Sequence, residues 1–252
     1  MKIRVLACLY VLLLAAGCSS TAGGTAQPPR KVTVLAAASL TEVFTSMRKA
    51  YERAHSGTTV ELSFGASSTL ARQITEGAPA DVFAAASPAT MTTVTQAGKA
   101  GGTAQVFARN RLEIAVPAGN PGHVRGLADF ARPELRLAIC APQVPCGTAA
   151  TKVFAAAGIT PRPDTLEQDV KATLAKVVNG EVDAALVYRT DVRAAAPKVV
   201  GIDFPEAAKA INDYPIAVLR SAPNAAGGRA FRDYVLSPAG RSALTAAGFE
   251  VP

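Results

Sequence analysis

The sequence predicts an α/β fold, with a largely parallel sheet carrying helices on both faces. Three observations point there. Short β-rich apolar runs alternate with helical patterns along most of the chain. The helical pattern at 169–179 has one apolar stripe: Val170, Leu174, Val177 and Val178 fall at i, i+4, i+7 and i+8, with charges opposite. No internal repeat appears at a fixed period, and the roughly 220 residues available suit one large domain or two lobes.

The chain opens with "MKIR", continues with the apolar run "VLACLYVLLLAA" and reaches "GCSS". A short basic start, a dozen apolar residues and small residues after them describe a secretory signal peptide. The run is too short for a membrane span, which needs about 20 apolar residues. "AAGC" at 15–18 resembles the bacterial lipobox, which makes Cys18 the expected lipidation site and residues 1–17 a lipoprotein signal peptide. Ala15 stands where leucine is commoner, so ordinary cleavage is the alternative. Residues 18–30, "CSSTAGGTAQPPR", have no apolar periodicity and read as a flexible tether.

From there the expected strands are 31–37, 59–64, 81–86, 112–117, 135–140, 183–188, 198–202 and 214–220. Between most of them lie expected helices at 40–54, 68–76, 88–97, 148–157, 169–179, 225–236 and 239–247. The strands are short apolar runs, and the helix at 169–179 shows the helical spacing well.

The formal charge of +7 falls to +5 once Lys2 and Arg4 leave with the signal peptide. Lysine and arginine are scattered, tryptophan is absent and an exported chain rarely meets DNA, so no nucleic-acid partner is expected. The surplus reads as solubility and mild attraction for anions. Of the four cysteines, Cys8 leaves with the signal and Cys18 is the acylation site. Cys140 and Cys146, in "CAPQVPC", remain, and so close a pair in an oxidising compartment suggests a disulfide, two free thiols being the alternative. Zinc is disfavoured, because His55 and His123 are the only imidazoles and lie far apart in sequence.

In open α/β sheets, ligands sit beyond the carboxyl ends of strands, where helices begin. Four helix starts here are led by small or hydroxyl residues: Ser39 in "AAASL", Ser67 to Thr69 in "GASST", Gly147 and Thr148 after "APQVPC", and the start of "DVKATL". Ser39 and Glu42 have the S-x-x-E spacing of a capping box, and a serine at a helix start is commonly a cap and nothing more. A helix N-terminus also presents unsatisfied amides and about half a positive charge, so several converging would offer on the order of +1.5 to +2. That would match a dianion held without any lysine or arginine.

Three stretches, "VLAAASLTEVF", "SFGASSTLARQITEGAPADVFAAAS" and "QDVKATLAKVVNGEVDAALVYRTD", together resemble the periplasmic molybdate-binding proteins of bacterial ABC importers. The resemblance covers nearly all the chain after residue 31. It implies the type II solute-binding fold, with two α/β lobes joined by crossover strands and the ligand in the cleft. Lobe 1 would comprise 31–110 plus 216–252 and lobe 2 would comprise 111–215, with crossovers near 109–112 and 214–215. It also implies the contacts: the Ser39 and Ser67 hydroxyls, the main-chain amides of Cys146 and Val170, and the Tyr188 phenol. Molybdenum would enter as its oxyanion, with no protein group ligating the metal directly and no cofactor. Cys146 departs from the alanine common at its position, a change that leaves the main-chain amide available. The implied protein is no enzyme but an extracytoplasmic monomer, anchored by lipid on the outer face of the cytoplasmic membrane, that passes molybdate, and tungstate with it, to a membrane permease.

Two alternatives carry different chemistry. Sulfate, another oxyanion or ferric iron could occupy the same fold, with Tyr188 and Tyr214 as phenolic ligands in the iron case. A serine hydrolase would need a nucleophile elbow, but "GASST" ends in Thr69 where the second glycine belongs, and no motif surrounds His55 or His123.

Overall fold

The computed structural model describes residues 30–252. The signal peptide at 1–17 and Cys18 lie outside the described residues, as does the tether apart from Arg30. In chain order the elements are β1 (Arg30–Ala37), α1 (Thr41–Ala54), β2 (Thr58–Gly65), α2 (Ser67–Thr75), β3 (Val82–Ala84), α3 (Pro88–Gln96) and β4 (Gln105–Asn110). There follow β5 (Leu112–Pro117), β6 (Leu137–Cys140), α4 (Pro145–Ala157), β7 (Thr165–Glu167), α5 (Val170–Val178), β8 (Ala184–Tyr188), α6 (Arg189–Ala195) and β9 (Val199–Ile202). The chain ends with β10 (Asn212–Val218), α7 (Ala225–Leu236) and α8 (Pro238–Ala247).

These elements build two α/β lobes, each on a five-stranded sheet. The first sheet has the order β2-β1-β3-β10-β4 and the second β7-β6-β8-β5-β9. Helices α1, α2, α3 and α7 pack on the first sheet, α8 packs against α1 and α7, and α4, α5 and α6 pack on the second sheet. Each lobe has its own core. Phe44, Phe107, Tyr214 and Phe231 interlock in the first, and Ile114, Phe130, Leu137 and Leu186 fill the second. On α1 the buried residues are Val43, Phe44, Met47 and Tyr51, the single stripe that the helical period produces.

Four of the five strands in each sheet run the same way, as expected, and one strand in each, β10 and β5, runs against the rest. β1 runs parallel to β2 and β3, and β6 parallel to β7 and β8. β10 is antiparallel to β3 and β4, and β5 is antiparallel to β8 and β9. The cause is the crossing between lobes. Arg111 alone separates β4 from β5, and Leu112 pairs with Tyr188, so β5 starts where β8 ends. A strand arriving from the other lobe starts at the cleft and runs away from it, against the strands that end there.

The strand expected at 112–117 is observed with those bounds. The one expected at 81–86 shortens to Val82–Ala84, because Ala86 turns its amide to the Ser67 hydroxyl. β4, β7 and α6 were not expected. β7 and α6 are three and seven residues long, too short for a periodic signal, and β4 carries Gln105, Arg109 and Asn110 within an edge strand.

Candidate functional site

Six strands, β1, β2, β3, β6, β7 and β8, point their carboxyl ends at one small cavity between the lobes. The first lobe lines it with Ala37, Ala38 and Ser39 after β1, Gly65, Ala66 and Ser67 after β2, and Ala86 after β3. The second contributes Val144, Pro145 and Cys146 after β6, Asp169 and Val170 after β7, and Tyr188 at the end of β8. All five residues singled out for ligand contact, Ser39, Ser67, Cys146, Val170 and Tyr188, therefore line a single cavity. Each is buried. The space open to the centre of a water molecule is about 20 Å³, which suits a compact ion and not a sugar or a peptide.

Four helix starts reach this point. Ser67 opens α2 directly, and Ser39 lies in the single 3₁₀ turn that leads into α1. Pro145 takes the first position of α4, where its missing N–H costs nothing, so Cys146 brings the first amide of that helix. Gly147 lets this start press against the end of β6, since a Cβ there would overlap the Ala141 carbonyl. A disulfide between Cys140 and Cys146, with Cα atoms 5.7 Å apart, ties the same turn to β6. On α5, the Asp169 carboxylate caps the amides of Lys171 and Ala172 at 2.8 and 2.9 Å, and does not take that of Val170.

The hydroxyls are held by partners distant in sequence. Ser39 is no capping residue: its Oγ lies 2.9 Å from the Tyr214 hydroxyl, and neither the 3₁₀ turn nor α1 has a side-chain cap. Glu42, the other half of the expected capping box, reaches across the cleft to Lys171 instead. The Ser67 Oγ accepts the Ala86 amide at 2.9 Å. Asn212, at the start of β10, donates from Nδ2 to the Ala86 carbonyl at 2.7 Å and to the Tyr188 hydroxyl at 3.0 Å.

Electrostatically the cavity has no lysine, arginine or histidine in its wall. Asp169 is its one ionisable carboxyl residue, and its Oδ1 is occupied by the α5 cap. Burial, reinforced by the neighbouring Tyr214 and Asp191, raises the Tyr188 phenol well above its ordinary value, and burial does the same to Tyr214. Both stay protonated at neutral pH. Behind Tyr188, the fully buried Asp191 accepts the Tyr188 amide on Oδ2 and faces Lys171 Nζ at 3.0 Å on Oδ1. Burial pushes Asp191 up to about 6, against the pull of Lys171.

Sequence reasoning missed Asn212, Asp169 and Ala86, and gave Tyr214 no part in an oxyanion site. "IND" before Tyr214 reads as a turn, and nothing in it marks a buried amide. Asp169 could have been found from the "DV" helix start, where aspartate is a favoured cap. Neither His55 nor His123 approaches Ser67: His55 stacks on Tyr51 with ring centroids 4.0 Å apart, and neither imidazole lines the cavity. Neither histidine is therefore placed to act as a base for Ser67. Among the described residues, no group of three His, Cys, Asp or Glu is placed to hold a metal ion.

Two sheet-based lobes with helix starts converging on a small cleft cavity define a solute-binding class of protein. The description "bacterial extracellular solute-binding protein" matches residues 32–250. The molybdate-binding protein ModA of Mycobacterium tuberculosis strain H37Rv is 41% identical over 251 residues, 98% of this chain and 96% of that protein. The Azotobacter vinelandii periplasmic molybdate-binding protein aligns with a TM-score of 0.77 at 22% identity, over 88% of this chain and 99% of that one. The sulfate-binding protein SubI of Mycobacterium tuberculosis H37Rv has the same TM-score, 0.77, at 18% identity, over 88% and 87%. The chain belongs to the bacterial extracellular solute-binding protein family, in the molybdate-binding ModA group. Its relatives are solute-binding proteins and not enzymes.

Proposed function

We propose that this protein captures molybdate outside the cytoplasm and delivers it to the membrane permease of an ABC importer. The observation that carries the reading is the Ala86 amide bonded to Ser67 Oγ. That oxygen is already an acceptor, so its single proton is left for a ligand in the cavity. Ser39, Tyr188 and the amides of Cys146 and Val170 complete a set of neutral donors. Four helix starts contribute on the order of +2 in total, partly offset by the Asp169 carboxylate that caps α5, so the cavity favours an anion without any cationic side chain. Each charge-assisted bond is worth roughly 1.5–3 kcal/mol.

Identity to ModA supports molybdate over sulfate, since the fold alone is shared with a sulfate-binding protein. Tungstate, with the same charge and shape, is the expected second ligand. Molybdenum is held through its oxygens, with no cofactor. We place the lobe divisions near 110–111 and near 211–212, a few residues before the expected 215–216, since β10 pairs within the first sheet from Asn212 on; the protein acts as a monomer tethered by lipid at Cys18. Calorimetry on protein lacking residues 1–30, with molybdate, tungstate, sulfate and phosphate, tests the reading. It predicts one molybdate per chain and much weaker sulfate. Sulfate binding in preference to molybdate would contradict it.

A further inference from the structure

We propose that Asn212 is a positioning residue that turns the Tyr188 hydroxyl proton toward the cavity, and so tunes the site for oxyanions without a proton of their own. The proposal rests on the oxyanion reading of this cavity. Asn212 is buried, and its Nδ2 lies 2.7 Å from the Ala86 carbonyl. A carbonyl can only accept, so the atom facing it is the amide nitrogen, and the flipped side chain is excluded. The second hydrogen of that nitrogen points at the Tyr188 hydroxyl, 3.0 Å away. The Tyr188 oxygen is thereby an acceptor, and its one proton must go elsewhere.

Two destinations are in reach. One is a ligand oxygen in the cavity that Tyr188 lines. The other is the neighbouring Tyr214 hydroxyl, which shares a bond of 2.9 Å with Ser39. Along the second route Tyr214 donates its own hydrogen bond to Ser39 Oγ, and the Ser39 O–H faces the cavity. Either route ends with a donor turned toward the ligand. An anion that carries an O–H needs an acceptor there, and Asn212 removes one.

The bond also joins the lobes. Asn212 and Ala86 belong to the first sheet and its connections, while Tyr188 ends β8 of the second. The orientation of the phenol is therefore fixed as the lobes meet.

A double-mutant cycle tests this, with molybdate titrated calorimetrically into the wild type, Asn212→Ala, Tyr188→Phe and the double variant. Asn212→Ala should weaken binding about tenfold when the Tyr188 hydroxyl is present and less than about twofold when it is absent. Asn212→Asp keeps the shape but gives the hydroxyl an acceptor. It should lower the ratio of molybdate to phosphate affinity by about tenfold, and it carries the test should Asn212→Ala fail to fold. Equal losses in both Tyr188 backgrounds, or an unchanged ratio in Asn212→Asp, would overturn the proposal and leave Asn212 a packing residue. Absence of molybdate binding by the wild type would instead overturn the oxyanion reading, and this proposal with it.

Discussion

Lys171 Nζ lies 2.8 Å from each carboxylate oxygen of Glu42, although 129 positions separate the two residues. Glu42 is on α1 in the first lobe and Lys171 on α5 in the second, one residue after Val170 of the cavity wall. Lys171 also faces the buried Asp191 at 3.0 Å. Burial works against its charge, but Asp191 and Glu42 outweigh that and hold its pKa above the usual lysine value.

This ion pair should help to hold the lobes together. Glu42 is half exposed, so solvent screens the bond and its worth is about 0.2–1 kcal/mol. Glu42→Gln should weaken molybdate binding by about 1.5- to 5-fold at low salt and by less at 1 M salt. Calorimetry at the two salt concentrations measures it. A loss that does not depend on salt would argue against an electrostatic tie.

Asp191 should give stability an unusual pH slope. An unfolded aspartate titrates near 3.9, whereas burial pushes the folded one up to about 6. Between those values the folded protein binds more protons than the unfolded chain, so this group's contribution falls as pH rises from about 4 to 6 and stays lost above. Asp191→Asn has no such titration. Its stability relative to wild type should rise by about 1–3 kcal/mol between pH 4 and pH 7, as measured by urea unfolding without ligand. Parallel stability curves for the two proteins would refute the assignment.

The disulfide closes a short loop, with a sequence separation of 6. On the chain-entropy argument it is worth about 2–2.5 kcal/mol. Unreduced protein should show no alkylatable thiol at Cys140 or Cys146 by mass spectrometry. Reduction should lower the urea midpoint and weaken molybdate binding, because the bridge fixes the turn that carries the Cys146 amide. Reduction without effect on affinity would separate the bridge from the site.

Much of this was legible before the structure, for local reasons. The strand at 112–117 and most of the stripe on α5 follow from periods of two and 3.6; Val170, Leu174 and Val177 are buried as expected, but Val178 is exposed and Thr173 is buried in its stead. The five cavity residues as a set came from the family resemblance, while the strand-end and helix-start reading alone singled out Ser39, Ser67 and the helix starts at 147–148 and in "DVKATL". What stayed hidden depends on distant partners. Ser39 and Glu42 looked like a capping box because the local spacing permits one, but Tyr214 lies 175 positions from Ser39 and Lys171 lies 129 from Glu42. The antiparallel strands β5 and β10 owe their direction to the crossings between lobes, which leave no mark on hydrophobic period. Asn212 sits in a polar stretch that reads as a turn, and only the fold buries it.

A cavity of donors should refuse a ligand that must donate. Monohydrogen phosphate carries one O–H at neutral pH, and burying it without an acceptor costs about 1–3 kcal/mol. Phosphate should bind at least about tenfold to a hundredfold more weakly than molybdate. Tyr188→Phe should weaken molybdate by roughly 1–3 kcal/mol, since its packing remains while one donor is lost. Competition titration checks both; displacement of molybdate by an equal concentration of phosphate would count against a wall of donors.

The central claim is that one molybdate sits where four helix starts meet. Anomalous diffraction from molybdenum in crystals of the complex locates the ion directly. The account predicts one strong peak within reach of the Ser39, Ser67 and Tyr188 hydroxyls and the Cys146 and Val170 amides, all of which line the same cavity. A peak elsewhere, such as beside Arg220 and Arg229 in the surface pocket of the first lobe, with this cavity empty, would contradict it.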